Sequence, residues 1–144
     1  MARQLEALWA DYEEHHRTAG NKWCHLVGIP LIAAGLTGLL AVEVARVGAW
    51  PLEVSLILIL LMGGAYVWLH AGLGALFTVF LLLIYMGMRQ LDWPVALALF
   101  LLGWVFQFIG HGVYEKRSPA FFKNLAHLLV GPLWVTNHVV PLRR

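Results

Sequence analysis

A chain of 144 residues that is 60% hydrophobic and 12% charged, with a mean hydropathy of +0.73, is too apolar for a water-soluble domain of its size; one membrane-embedded domain over residues 1–144 is expected. The formal net charge of +2 comes from basic residues dispersed between apolar segments, which excludes a continuous stripe for nucleic acid. A lone cysteine, Cys24, excludes an intrachain disulfide and a Cys-rich zinc site.

Residues 2–18 place Leu5, Leu8, Trp9 and Tyr12 against Arg3, Glu6, Asp11 and Glu13 at helical spacing, which predicts an amphipathic helix lying at the membrane interface. Acidic residues and the lack of an early apolar run argue against a removable signal peptide, so the first membrane helix is expected to act as the targeting signal. Ala19-Gly20 offers a bend. Leu26 to about Val47 is apolar apart from Glu43 and Arg46 near its far end and is long enough for a first span, with Glu43 partnering Arg46 or snorkelling. Trp50-Pro51 starts a second helix through Val54–Leu69, "HAGLG" at 70–74 makes a tight hairpin, and a third span covers Leu73–Met88. "RQLDWP" at 89–94 leads to a fourth span from Val95 to Gly112. The segment 120–141 is broken by Lys123, Gly131 and Pro132, which predicts a short re-entrant or interfacial helix rather than a fifth crossing. The expected fold is therefore an all-α integral membrane protein with four transmembrane helices, an N-terminal amphipathic helix and a C-terminal re-entrant or interfacial helix.

An even number of spans puts both terminal regions on one side. Arg3, Arg17, Lys22, Lys116, Arg117, Lys123, Arg143 and Arg144 fall there, against Arg46 and Arg89 on the other, which makes it the cytoplasmic face. That would be the inner membrane of a bacterium or the endoplasmic reticulum of a eukaryote. Trp9, Trp23, Trp50, Trp93 and Trp134 are expected to form interfacial belts.

His15, His16, His25, His111, His127 and His138 all fall near the cytoplasmic side, and His70 joins them from the hairpin. Imidazole nitrogen suits iron, zinc, copper and nickel, and a non-haem iron site needs only a few such ligands with open positions beside them. Asn21 and His25 share a helix face; Gln107, His111 and Glu115 form a polar row at i, i+4 and i+8 in an otherwise apolar span. Such a row is costly in lipid unless it bridges helices by hydrogen bonds or binds something, and both readings are open. His16 and His25 are nine residues apart, on opposite faces of a straight helix, so joint ligation requires a bend between them. Lys116 and Arg117 read first as positive-inside anchors, and Cys24 as a small packing residue.

"HRTAGNKWCHLVGIP" at 16–30 and "QFIGHGVYEKRSPA" at 107–120, followed by Gly131-Pro132, resemble the two signatures of the family of small membrane proteins typified by yeast 2-hydroxy fatty acid dioxygenase. The resemblance implies iron(II)-dependent alpha-oxidation of long-chain 2-hydroxy fatty acids with O2, shortening the acid by one carbon in phytosphingosine breakdown. Carried over by position, His16, Asn21, His25, Gln107, His111 and Glu115 match; a later acidic position of the family is His138 here. On this reading His16, His25 and His111 hold Fe2+, His138 is a fourth candidate ligand, and Asn21, Gln107 and Glu115 support the site. Zn2+ is a metal that a purified sample could carry. Arg17, Lys22, Lys116 and Arg117 are the candidates for holding the substrate carboxylate, with the acyl chain between apolar helices in the lipid bilayer. The competing reading is a non-catalytic membrane scaffold or small transporter with polar helix bridges. The oligomeric state is left open by the sequence.

Overall fold

The computed structural model describes residues 2–118 and 126–142; Lys123, Arg143 and Arg144, assigned to the basic side, lie outside them. Helix α1 (Ala2–Glu14) ends at a break over residues 15–18, and Thr18 then caps α2 (Ala19–Leu39), its hydroxyl accepting from the Asn21 amide at 3.3 Å. The bend therefore precedes Ala19-Gly20, because a threonine that can satisfy an orphan helix donor is the better start signal. The 21 residues of α2 reach about 32 Å, enough for a hydrocarbon core of about 30 Å.

The first span was expected to continue to Val47, and it does not. After Leu39 the chain enters an antiparallel hairpin of β1 (Glu43–Val47) and β2 (Trp50–Glu53), with Val47 opposite Trp50 and Gly48 at φ 62 in the two-residue turn. Three valines, at 42, 44 and 47, and a glycine where the turn needs positive φ favour this hairpin over more helix. Glu43 and Arg46 pair at 2.6 Å on its exposed surface rather than inside a span. The fold is helical with this one small sheet among the described residues.

Helices α3 (Val54–Leu69), α4 (Ala71–Met88) and α5 (Trp93–Ile109) follow; α5 runs into a π-helical turn (Gly110–Glu115), and α6 covers Ala126–Val139. Three stretches, Ala19–Leu39, Ala71–Met88 and Trp93–Glu115, are long and apolar enough to cross a membrane. The expected second span, α3, is apolar but has 16 residues, about 24 Å.

Helix α2 lies along α5, and α3 along α4, each pair brought close by glycine. A Cβ on Gly35 would run into the Phe100 backbone, and one on Gly74 into the backbone of Tyr66 and Val67. The core is built from Trp9, Tyr66, Leu73, Phe77, Leu133 and Trp134 of α1, α3, α4 and α6. So α1 buries its apolar face on α6, and α6 packs on α1, α2 and α4 with Pro132 inside the helix. Trp23, Trp50 and Trp93 are exposed as a belt requires, whereas Trp9 and Trp134 belong to the core. Far from the basic side, Arg89 pairs with buried Glu53 at 2.9 Å.

Gly74→Val should destabilise the detergent-solubilised protein by about 1–3 kcal/mol, because two backbones must separate. Gly64→Ala, which adds a methyl where nothing lies within 4 Å, should be neutral or mildly stabilising. Thermal unfolding of both variants checks this; equal midpoints would contradict the close α3–α4 contact.

Candidate metal centre

His16 lies in the break after α1, His25 in α2, and His111 in the π-helical turn, and the three side chains meet. They are 2%, 3% and 3% exposed. Nδ1 of His16 donates to the Tyr12 carbonyl at 2.5 Å, and Nδ1 of His25 to the Asn21 carbonyl at 3.0 Å. A carbonyl can only accept, so each Nδ1 carries the ring proton, and in the neutral rings each Nε2 presents a bare lone pair. These two Nε2 atoms are 3.0 Å apart. The rings cross at 83°, with His111 edge-on to both at centroid distances of 5.0 and 4.9 Å. One ligand atom from each of the three lies within 4.8 Å of the others.

Burial, and then the neighbouring His25, push the pKa of His16 down to about 2, so it stays neutral at pH 7 and two lone pairs face each other with no proton between them. A metal with nitrogen bonds of about 2.0–2.1 Å holds two such atoms about 3 Å apart, so the spacing fits a cation. Three neutral imidazoles suit iron, zinc, copper or nickel and leave coordination positions free.

The polar row expected at i, i+4 and i+8 splits, because the π-helical turn changes the rotation per residue after His111. Glu115 turns to the bend instead: its carboxylate accepts from the Thr18 amide at 2.7 Å and the Thr18 hydroxyl at 3.1 Å. It thus ties the start of α2 to the end of the π-helical turn. Asn21 acts through its backbone carbonyl on His25, while its side-chain amide donates to the His15 carbonyl at 3.2 Å. Gln107 lies one turn before His111, 5% exposed, and its amide nitrogen has no partner among the described residues.

Other expected site residues stand elsewhere. His138 is exposed and packs against Trp134, with ring centroids 4.0 Å apart and planes tilted by 39°, outside the three-His group. The α6 residue beside the site is His127, about 16 Å nearer the helix start. Arg17 pairs with Glu14 at 3.4 Å, and Lys116 and Arg117 are exposed near Ser118. Neither they nor Lys22 line the cavity next to the histidines, where stripping water from a cation would be costly. His70 caps α4, its Nδ1 accepting from the Leu73 amide at 3.2 Å. Tyr12 was read only as part of an apolar face, but its ring stacks on His16 at 3.9 Å and 11°. Burial raises its pKa, which keeps the phenol protonated. Its position one turn before His16 was the available signal.

From the histidines a cavity of about 450 Å³ runs between α2, α3 and α5 past Ile32, Leu36 and Ile59 to Thr37, Leu40 and Ser55. The family model described as 2-hydroxy-palmitic acid dioxygenase Mpo1-like matches residues 2–141. The 2-hydroxy-palmitic acid dioxygenase MPO1 of Saccharomyces cerevisiae is 33% identical over 124 residues, covering 83% of this chain and 69% of the yeast protein. No solved structure matches.

Glu115→Ala should weaken binding of added Fe(II) or Zn(II) by about 10–100-fold through loosening of the bend, and Glu115→Gln, which keeps an acceptor for Thr18, should weaken it less. Metal titration of the two variants measures this. Unchanged affinity in Glu115→Ala would show that the bend holds without its clamp.

Proposed function

The chain belongs to the Mpo1-like family, and from that premise we propose that it is an integral membrane, iron(II)-dependent dioxygenase that cleaves long-chain 2-hydroxy fatty acids to the acid one carbon shorter. The observation that carries this reading is the pair of facing Nε2 lone pairs, joined by His111, at the head of a long apolar cavity. A scaffold that used these residues only to bridge helices would pair each nitrogen with a donor, and the unpaired Nε2 atoms of His16 and His25 support a cation instead.

His16, His25 and His111 hold the metal, with Tyr12 stacked behind His16. Bound iron would supply the site where O2 and the 2-hydroxy acid meet; Zn(II) suits the same nitrogens and would occupy them without redox chemistry. Oxidation of RCH(OH)COOH by O2 to RCOOH, CO2 and H2O balances in atoms. It removes four electrons, the full capacity of O2, so no further reductant is needed. The Gln107 amide lines the cavity and is available to donate to the carboxylate, whereas Arg17, Lys22, Lys116 and Arg117 do not line it. From His25 to Leu40 the cavity follows about 22 Å of α2, longer than the roughly 15 Å of one leaflet's acyl layer. Its apolar walls take a long chain and keep water from the reacting carbons.

In this reading α3 completes a fourth crossing as the antiparallel partner of α4. Arg17, Lys22, Lys116 and Arg117 then gather at the metal end and Arg46 and Arg89 at the other, which makes the metal end cytoplasmic.

The purified protein should carry close to one equivalent of metal, and its Fe(II) form should convert 2-hydroxypalmitic acid to pentadecanoic acid under O2. His111→Ala should lose both, because two imidazoles are too few to hold the ion. Elemental analysis with product analysis by mass spectrometry tests this; full activity in His111→Ala, or a metal-free active wild type, would overturn the proposal.

A further inference from the structure

We infer that His127, held by Asp11, is the contact that recognises the substrate's 2-hydroxyl group. The inference rests on the 2-hydroxy acid reading above and adds a residue to it. His127 is 4% exposed and lines the same cavity as His16, His25 and His111, but it is not one of the three side chains grouped for a metal. Tyr12 joins it to them: its ring lies 5.6 Å from that of His127 and 3.9 Å from that of His16.

Nε2 of His127 is 2.7 Å from Oδ2 of Asp11. A carboxylate only accepts, so Nε2 carries a proton, and the tautomer with that proton alone leaves a lone pair at Nδ1. Asp11 is fixed in turn, its Oδ1 standing 3.7 Å from His15, whose Nδ1 is bonded to the Asp11 carbonyl at 2.8 Å. Nδ1 of His127 is buried and has no partner among the described residues. A buried acceptor in an apolar cavity is satisfied by a donor that enters the cavity. An ionised carboxylate has no proton to give; a 2-hydroxyl has one. An unsubstituted fatty acid would fill the same space and leave Nδ1 unpaired, so the contact discriminates by about ten- to a hundredfold. His127 is thus a specificity contact, separate from the ligands.

The test is equilibrium binding of 2-hydroxypalmitic acid and of palmitic acid to the metal-loaded full chain, measured by calorimetry without O2 so that nothing turns over, with metal content determined for each variant. Wild type should prefer the 2-hydroxy acid by about tenfold or more. His127→Phe should bind the 2-hydroxy acid about ten- to a hundredfold more weakly while palmitic acid affinity and metal content stay within about twofold. His127→Asn, whose amide oxygen can replace the Nδ1 acceptor, should recover most of the preference. The inference is overturned if His127→Phe keeps the preference, weakens both acids alike, or loses the metal. A wild type that binds both acids equally would instead remove the substrate reading, and this inference with it.

Discussion

Two imidazole nitrogens that are 3.0 Å apart with no proton between them repel each other, and the structure around His16 and His25 is arranged to hold them there. The Tyr12 carbonyl, in the last turn of α1, accepts from the His15 amide at 3.1 Å and from the His16 ring as well, so His16 helps to close that helix end while its own ring is fixed. His25 is fixed by a carbonyl one turn back in α2. The stacked ring of Tyr12 and the Glu115–Thr18 clamp then set the angle between the two helices. Each constraint has its own small hydrogen-bond or packing energy, and together they keep three buried imidazoles close to one another.

Apolar burial supplies the frame for that arrangement. Fully burying a large side chain stabilises by about 1.5–3 kcal/mol, and Trp9, Leu133 and Trp134 are among the most deeply buried residues of α1 and α6. These two helices carry Tyr12, Asp11 and His127, so the same packing that covers α1 also builds one wall of the site. The cavity behind the histidines keeps polar groups at its ends and apolar side chains along its length, a distribution that suits an amphiphile with a polar head and one long tail.

Much of this was legible from spacing and hydropathy. The apolar runs locate α3, α4 and α5 to within a few residues, and the demand for a break between His16 and His25 follows from helix geometry alone. The hairpin at Glu43–Glu53 was hidden because continuous apolarity looks the same for helix and strand, and only its β-branched residues and Gly48 argue otherwise. The divergence of Glu115 from His111 depends on a π-helical turn, which has no simple sequence signature. His127 and His138 lie on one helix, and only the packing of α6 on α1 decides which of them faces the cavity. Trp9 and Trp134 looked interfacial because tryptophan suits both a belt and a core.

The central claim is that His16, His25 and His111 bind one metal ion together. X-ray absorption at the metal edge of the Fe(II)-loaded protein addresses it directly. The account predicts about three imidazole nitrogens at roughly 2.0–2.2 Å, with the rest of the sphere made of light oxygen donors that an added 2-hydroxy acid displaces. A spectrum without the outer-shell scattering of imidazole rings, or with only one, would contradict it.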